Sequence, residues 1–314
     1  MAEPGGRAYR PPMGPPHARA AAGAGGTGEP PASAGQAVLA YLRTQREALA
    51  VLEPEVRRDR EDAVHRMRVA TRRARSALKS HRRLLDRAAT DPLGDELRWL
   101  AALLGAERDR EVLGERLAAR AAELRPAPAA LTARLTAARS RARPHAEVVR
   151  ALDGDRYTAL LRSYDTLLSR PPFRPAAADD PVLSALRTTR RDHHRLRLAL
   201  GRALDLPPGP EQDAALHQAR KEAKRARYSS EAAEPVLGRR AAAQTSRMTA
   251  AQKLLGEHQD SVMARAELAR LRAAATAAGE DPAPYEAMAL AEARLASAAR
   301  ERLYEKWRRS GQAD

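Results

Sequence analysis

The sequence predicts an all-α protein, two tandem helical bundles of four to five helices each related by a pseudo-twofold axis. Three observations lead there. Leu and Ala supply most of the apolar content of the 314 residues and aromatics only 3%, a mixture that suits closely packed helices better than sheets. Apolar residues recur at spacings of three and four, the period of one helix face. Finally, a basic stretch beginning at His65 returns at His217. The constant offset of 152 residues pairs Arg68 with Arg220, Arg72 with Lys224, Arg73 with Arg225 and Arg75 with Arg227.

Taken in order, residues 1–35 lack Leu, Ile, Val and Phe and are crowded with Gly, Pro and Ala. Such a segment cannot bury enough surface to offset its ordering entropy, so a disordered tail is expected. The globular part then spans 36–309, as a first repeat 36–170, a linker 171–180 and a second repeat 181–309, with a short tail at 310–314. Periodicity begins at Gln36 and carries Val38, Leu39, Leu42, Leu49 and Leu52 to a helix end near Glu53-Pro54. The basic helix follows over about 59–86. Asp91-Pro92 reads as an N-cap followed by a first-turn proline, opening a helix through Leu97, Leu100, Leu103 and Leu104 to about Leu124. Two further helices are expected at 128–151, with a break at Pro144, and at 155–170. The proline-rich run 171–175 forms a stiff connector.

Asp180-Pro181 opens the second half with the same device. Val182-Leu183-Ser184-Ala185-Leu186-Arg187-Thr188 echoes Val38-Leu39-Ala40-Tyr41-Leu42-Arg43-Thr44, so the repeat includes the helix before the basic one. The second basic helix is expected at 211–236, a long helix at 239–277 and a last one at 284–308. Leu254-Leu255-Gly256 with Asp260 repeats Leu103-Leu104-Gly105 with Asp109, at an offset of 151.

On a helix, Arg68, Arg72, Arg75, Lys79 and Arg82 fall within ~100° of arc on the side of His65. Ala63, Met67, Ala70, Ala74, Leu78 and Leu85 gather opposite. Between Arg66 and Arg83 stand eight Lys or Arg and no acid, so no i,i+4 partner within the helix neutralises them. One such face is ordinary solvated surface. The second copy singles it out, because a duplicated stripe of mutually repelling charges points to an anion.

The formal charge of +16 and pI near 11 point the same way, toward nucleic acid, an anionic membrane or a phosphate polymer. Scarce aromatics argue against a single-strand stacking platform. The absence of cysteine excludes disulfides, zinc-thiolate sites and thiol nucleophiles. No signal-peptide core or run of ~18 apolar residues occurs. A cytoplasmic protein without membrane insertion is therefore expected.

At these residues the sequence resembles the CHAD family, the conserved histidine α-helical domain, over about 37–308. The marks are His65-x-x-Arg68-Val69-x-x-Arg72-Arg73-x-Arg75-x-x-Leu78, Leu104-Gly105-x-x-Arg108-Asp109, Leu216-His217-x-x-Arg220-Lys221-x-x-Lys224-Arg225-x-Arg227-Tyr228-x-x-Glu231 and Leu255-Gly256-x-x-x-Asp260. Ala74 and Ala226 stand where the family pattern has Leu, and Gln259 where Asn is common; these departures touch packing more than charge. The resemblance implies a pair of helical bundles that binds inorganic polyphosphate through a basic surface, associated with polyphosphate granules in some bacteria. The ligand-contacting residues it implies here are His65, Arg68, Arg72, Arg73, Arg75, Lys79, His217, Arg220, Lys221, Lys224, Arg225 and Arg227. Arg98 and Lys253 support them from adjoining helices. Many family members are fused to a CYTH triphosphate-processing domain, but no alternating Glu-x-Glu-x-Lys strand motif occurs here, so a stand-alone binding domain is expected.

An enzyme is the first competing reading, and no GxxxxGKT loop or HExxH is present. Glu61 and His65, i,i+4 on one helix, could hold a metal, but the plainer reading is a helix-start acid and a surface imidazole. His193 and His194 point to different faces. No cofactor is expected. Sequence-independent nucleic-acid binding is the second alternative, which the charge alone permits although no recognition-helix or RRM signature appears.

Overall fold

The computed structural model describes residues 31–124, 128–140 and 145–311. The expected tail therefore lies outside the described residues up to position 30, as do the expected break at Pro144 and residues 312–314. The described chain forms α1 (Ala34–Arg57), α2 (Ala63–Ser80), α3 (Arg87–Glu123), α4 (Ala129–Ser140), α5 (Ala146–Asp153) and α6 (Asp155–Ser169). A 3-10 turn at Pro175–Ala178 leads into α7 (Pro181–Asp205), α8 (Pro210–Leu237), α9 (Arg239–Ala277) and α10 (Ala283–Gly311). Among the described residues there is no β-strand, and the protein is all-α.

Several helix ends differ from the sequence reading. α1 starts at Ala34, behind a Ser33 cap whose hydroxyl accepts from the Gln36 amide, and it runs through Pro54 to Arg57. α2 is shorter than expected because Asp59 and Asp62 both take left-handed backbone angles. Asp tolerates that region better than most residues, so the turn stays tight and helix begins only at Ala63. Glu61 consequently lies ahead of the helix and not one turn below His65 on it. α3 begins at Arg87, with Pro92 inside it, and not at the Asp91-Pro92 pair. Asp91 does not cap; it lies 3.4 Å from both Arg82 and Arg87. In α7 the expected device is present: the Asp180 carboxylate accepts from the Leu183 amide at 2.8 Å, with Pro181 in the first turn.

Three clusters of buried side chains hold the helices together. The first joins α1, α2, the start of α3, α5 and α6, around Leu42, Leu49, Met67, Leu97, Leu100 and Tyr164. The second joins α7, α8, the middle of α9 and the end of α10, around Leu196, Leu216, Ala223, Leu255 and Leu303. The third draws on both halves of the chain: Leu117 and Ala121 of α3 and Leu131 and Leu135 of α4 pack with Leu268, Leu271 and Ala275 of α9 and Tyr285 of α10. At ~1.5 Å per residue the 37-residue α3 and 39-residue α9 extend about 55 Å, long enough to serve one core with one end and the shared core with the other. Near that shared core the fully buried Glu292 carboxylate accepts from Arg116, 2.6 Å at closest, and Arg116 also donates to Ser261 at 2.7 Å.

The connector is pinned in place. Phe173 forms a bridge with Leu85, Arg174 donates its amide to the Leu84 carbonyl, and the Asp86 amide donates to the Pro172 carbonyl. Gly35 is required at its close approach, since a Cβ there would stand 2.8 Å from the Phe173 ring. These contacts fix the start of α7 beside the α2–α3 turn.

Candidate functional site

α2 and α8, the two basic helices, pack directly on one another. Each buries a line of small residues, Ala63, Ala70, Ala74 and Ala77 in α2 and Ala219, Ala223 and Ala226 in α8. These alanines belong to the first and second cores respectively, and small side chains let each helix lie close to its neighbours there. The departures from Leu at Ala74 and Ala226 therefore fall on fully buried positions.

Four basic side chains meet at the centre of this pair. Arg68 lies flat against α3: its guanidinium is 3.0 Å from where a Gly105 Cβ would be, and it donates to both Asp109 oxygens at 2.9 and 3.1 Å. Arg220 lies in the same way over Gly256 of α9, at 3.8–3.9 Å. The repeated glycines are thus shelves for the repeated arginines. Burial, joined by the charges of Arg72 and Arg68, lowers the Arg220 pKa against the pull of Asp260 and Asp109. Lys224 feels the same surroundings more strongly. Burial first, then Arg72, Arg220 and Arg68, push it down to about 6, with Asp109 opposing. Asp260 is raised by burial in spite of Arg220, Arg116 and Lys224. Arg68, Arg72, Arg220 and Lys224 therefore form one electrostatically coupled group, with one carboxylate from each repeat beside it. The Nε atoms of Arg68 and Arg220 are buried without a hydrogen-bond partner among the described residues.

A second group continues the row. Arg75 is lowered by burial and then by Arg98, Arg72 and Arg225, with Asp95 opposing. Lys79, at the exposed end, is lowered by partial desolvation and then by Arg225, Arg75 and Arg82, with Glu222 opposing. Arg98 pairs with Asp95, and Arg225 with Glu222 at 3.3 Å.

Arg73 and Arg227 are placed differently. Arg73 donates to both Glu231 oxygens at 2.8 and 3.1 Å, and Arg227 donates to the same carboxylate at 3.1 Å. Burial works against the Arg73 charge, but the hydrogen bonds and charge of Glu231 outweigh it and raise its pKa. This triad crosses the α2–α8 seam. His217 meets Gln259 of α9, Nδ1 to Oε1 at 2.7 Å, and His65 is half-buried on the first turn of α2. Lys221 and Lys253 are exposed.

Asp109, Asp260, Arg82, Asp95 and Glu222 also belong to this neighbourhood. The two aspartates were visible in the repeat, but only the helix pairing shows them beside the cations. Of the remaining histidines, His193 lies 3.3 Å from the Ser230 hydroxyl and also meets Gln244, whereas His194 is exposed. Among the described residues no cluster of three or more His, Asp or Glu could hold a metal, and no helix is long and apolar enough to cross a membrane.

Comparison with known proteins agrees with this architecture. Residues 40–269 match the family model described as the CHAD domain. Uncharacterized proteins from two strains of Mycobacterium tuberculosis are 35% identical over 266 residues, covering 82% of this chain and 50% of theirs. The chain thus spans about half the length of the curated relatives it matches. Among solved structures, PptA from Streptomyces chartreusis superposes with a TM-score of 0.71 at 25% identity, covering 88% of this chain and 99% of that one. The CHAD domain from the plant Ricinus communis gives 0.63 at 25% identity, covering 88% and 93%.

Proposed function

Starting from a chain that belongs to the CHAD-domain family, we propose that it binds inorganic polyphosphate without catalysis, along the row of cations where α2 meets α8. The observation that carries this reading is the central group. The guanidiniums of Arg68, Arg72 and Arg220 are held together around Lys224 against their mutual repulsion, and desolvation and neighbouring cations lower Arg220 and Lys224. Such a group is stabilised by a polyanion that supplies the missing counter-charge. Successive phosphates meet the central four cations and then Arg75, Lys79, Arg98 and Arg225. Charge-assisted hydrogen bonds, bidentate where geometry allows, hold them. His65, His217, Lys221 and Lys253 border the row. Arg73 and Arg227, tied to Glu231, hold the two helices in register and contribute field more than contact.

Each exposed ion pair contributes only ~0.2–1 kcal/mol, so tight binding comes from many contacts and released counterions. Affinity then rises with polymer length and falls steeply with salt. The test is a titration of long and short polyphosphate against wild type and the variant Arg68→Gln/Arg72→Gln/Arg220→Gln/Lys224→Gln. Loss of binding with an unchanged helical spectrum is expected, and retained affinity would overturn the assignment. DNA displacing long polyphosphate at equal phosphate concentration would favour the nucleic-acid alternative. Orthophosphate release with Mg²⁺ or Mn²⁺ would favour an enzyme. The proposed location is cytoplasmic, on polyphosphate granules where these form, and fluorescence of a tagged chain in polyphosphate-depleted cells checks it.

A further inference from the structure

Away from the row of cations, a cavity of about 170 Å³ opens where the end of α2 meets the connector and α7. Its polar lining includes His81, Arg83, Arg187, Arg191 and Thr188, and the carboxylate that lines it is Asp179. At ~30 Å³ per water the space holds about five waters, enough for a small tetrahedral oxyanion and too little for a nucleotide. Three guanidiniums face one acid. Arg187 touches that acid at 3.4 Å, and Arg191 is positioned by Asp192 at 3.2 Å and by the Ser80 carbonyl. Asp192 is fully buried behind the wall and also accepts from the Ser80 hydroxyl at 2.7 Å, so its charge is already matched.

His81 adds a more selective feature. Both of its ring nitrogens are buried, and neither has a hydrogen-bond partner among the described residues. A buried polar atom without a partner is costly. Burial pushes the imidazole down to about 4 against the pull of Asp192, and Arg191 assists. At neutral pH the ring is uncharged, with one nitrogen a donor and the other an acceptor. The two ring nitrogens point in divergent directions, so a small ligand in the cavity meets at most one of them. The Asp179 carboxylate in the same lining can only accept; hydrogen phosphate carries a hydroxyl to donate to it, whereas fully ionised sulfate offers no hydrogen.

We propose that this cavity is a second anion site, separate from the α2–α8 row, that takes a protonated tetrahedral oxyanion of the hydrogen phosphate type. The oxyanion accepts from the guanidiniums and donates its hydroxyl to Asp179, with His81 in the wall beside it. Free orthophosphate and the end group of a phosphate chain share this chemistry.

The test is calorimetric titration of the full chain with orthophosphate, sulfate and tripolyphosphate, alongside NMR of the His81 ring. Wild type, Arg83→Gln/Arg187→Gln and the four-residue variant of the α2–α8 row are compared. Arg83 and Arg187 are exposed, so their replacement leaves folding intact. Expected are single-site binding of orthophosphate that moves the His81 resonances, at least tenfold weaker binding of sulfate, and at least tenfold loss in the Arg83/Arg187 variant. The row variant should bind orthophosphate like wild type. Tripolyphosphate moving the His81 resonances where orthophosphate does not would support the site with a chain end as occupant. The proposal is overturned if neither phosphate ligand moves those resonances, if sulfate binds as well as phosphate, or if only the row variant loses binding. Loss of polyphosphate binding by the row alone would bear on the α2–α8 reading and leave this site standing.

Discussion

Gly105 and Gly256 occupy equivalent places in the two repeats, yet the room above them differs. A Cβ at Gly256 would sit at ordinary distance from Arg220, but one at Gly105 would press on the Arg68 guanidinium at 3.0 Å. Alanine in a helix interior is favoured over glycine by up to ~1 kcal/mol. Gly256→Ala should therefore raise the melting temperature, whereas Gly105→Ala should gain less or lose stability and weaken polyphosphate binding by displacing Arg68. Thermal melts and titrations of the two variants check this. Lys224 yields a second prediction. Its ordinary value is 10.5 and its folded value about 6, so between those pH values the unfolded chain binds more protons and stability rises with pH across that window. A bound polyanion favours the charged amine. Near pH 8, polyphosphate binding should take up roughly one proton in wild type and none at this position in Lys224→Met. Calorimetry in buffers of different ionisation enthalpy measures it, and Lys224→Met should also melt higher without ligand. The repeated cations could be read from the sequence because their spacing is periodic. The roles of Asp109 and Asp260 could not, because an acid one helix away enters a basic row only when the helices meet.

At the scale of elements, the seam between α2 and α8 is held by Arg73, Glu231 and Arg227. Hydrogen bonds to charged groups contribute ~1.5–3 kcal/mol. Glu231→Gln should cost about 2 kcal/mol in urea unfolding while leaving the salt dependence of polyphosphate binding close to wild type. A large drop in that slope would instead make Arg73 and Arg227 ligand contacts. Spacing alone cannot separate the two roles, since Arg73 and Arg72 are adjacent in the same basic run and differ only in what lies opposite. Helix bounds show a similar limit. α9 is found at its expected 239–277 because a long unbroken period leaves little choice. The start of α3 departs from expectation because Asp-Pro is a good opening in isolation, whereas Asp91 here serves Arg82 and Arg87 instead.

For the molecule as a whole, the third core decides how the halves behave. Leu117, Leu131, Leu268 and Tyr285 come from both halves and share one cluster; no periodicity announces such a partnership between distant segments. It predicts that the halves unfold together. Trp99 packs on the first core and Trp307 on the second, so the single-tryptophan variants Trp99→Phe and Trp307→Phe should report coincident urea transitions. Two separated midpoints would mean independent halves.

The basic faces of α2 and α8 must also come together during folding, with only Glu222 and Glu231 on α8 to offset their repulsion. Docking them is then expected to be slow, and a phosphate chain lying between them would act as a template for assembly. Refolding from urea should accelerate when short polyphosphate is present from the start, and lose that acceleration in the four-residue charge variant. The ligand would then be part of how the protein reaches its shape as well as what it holds afterwards.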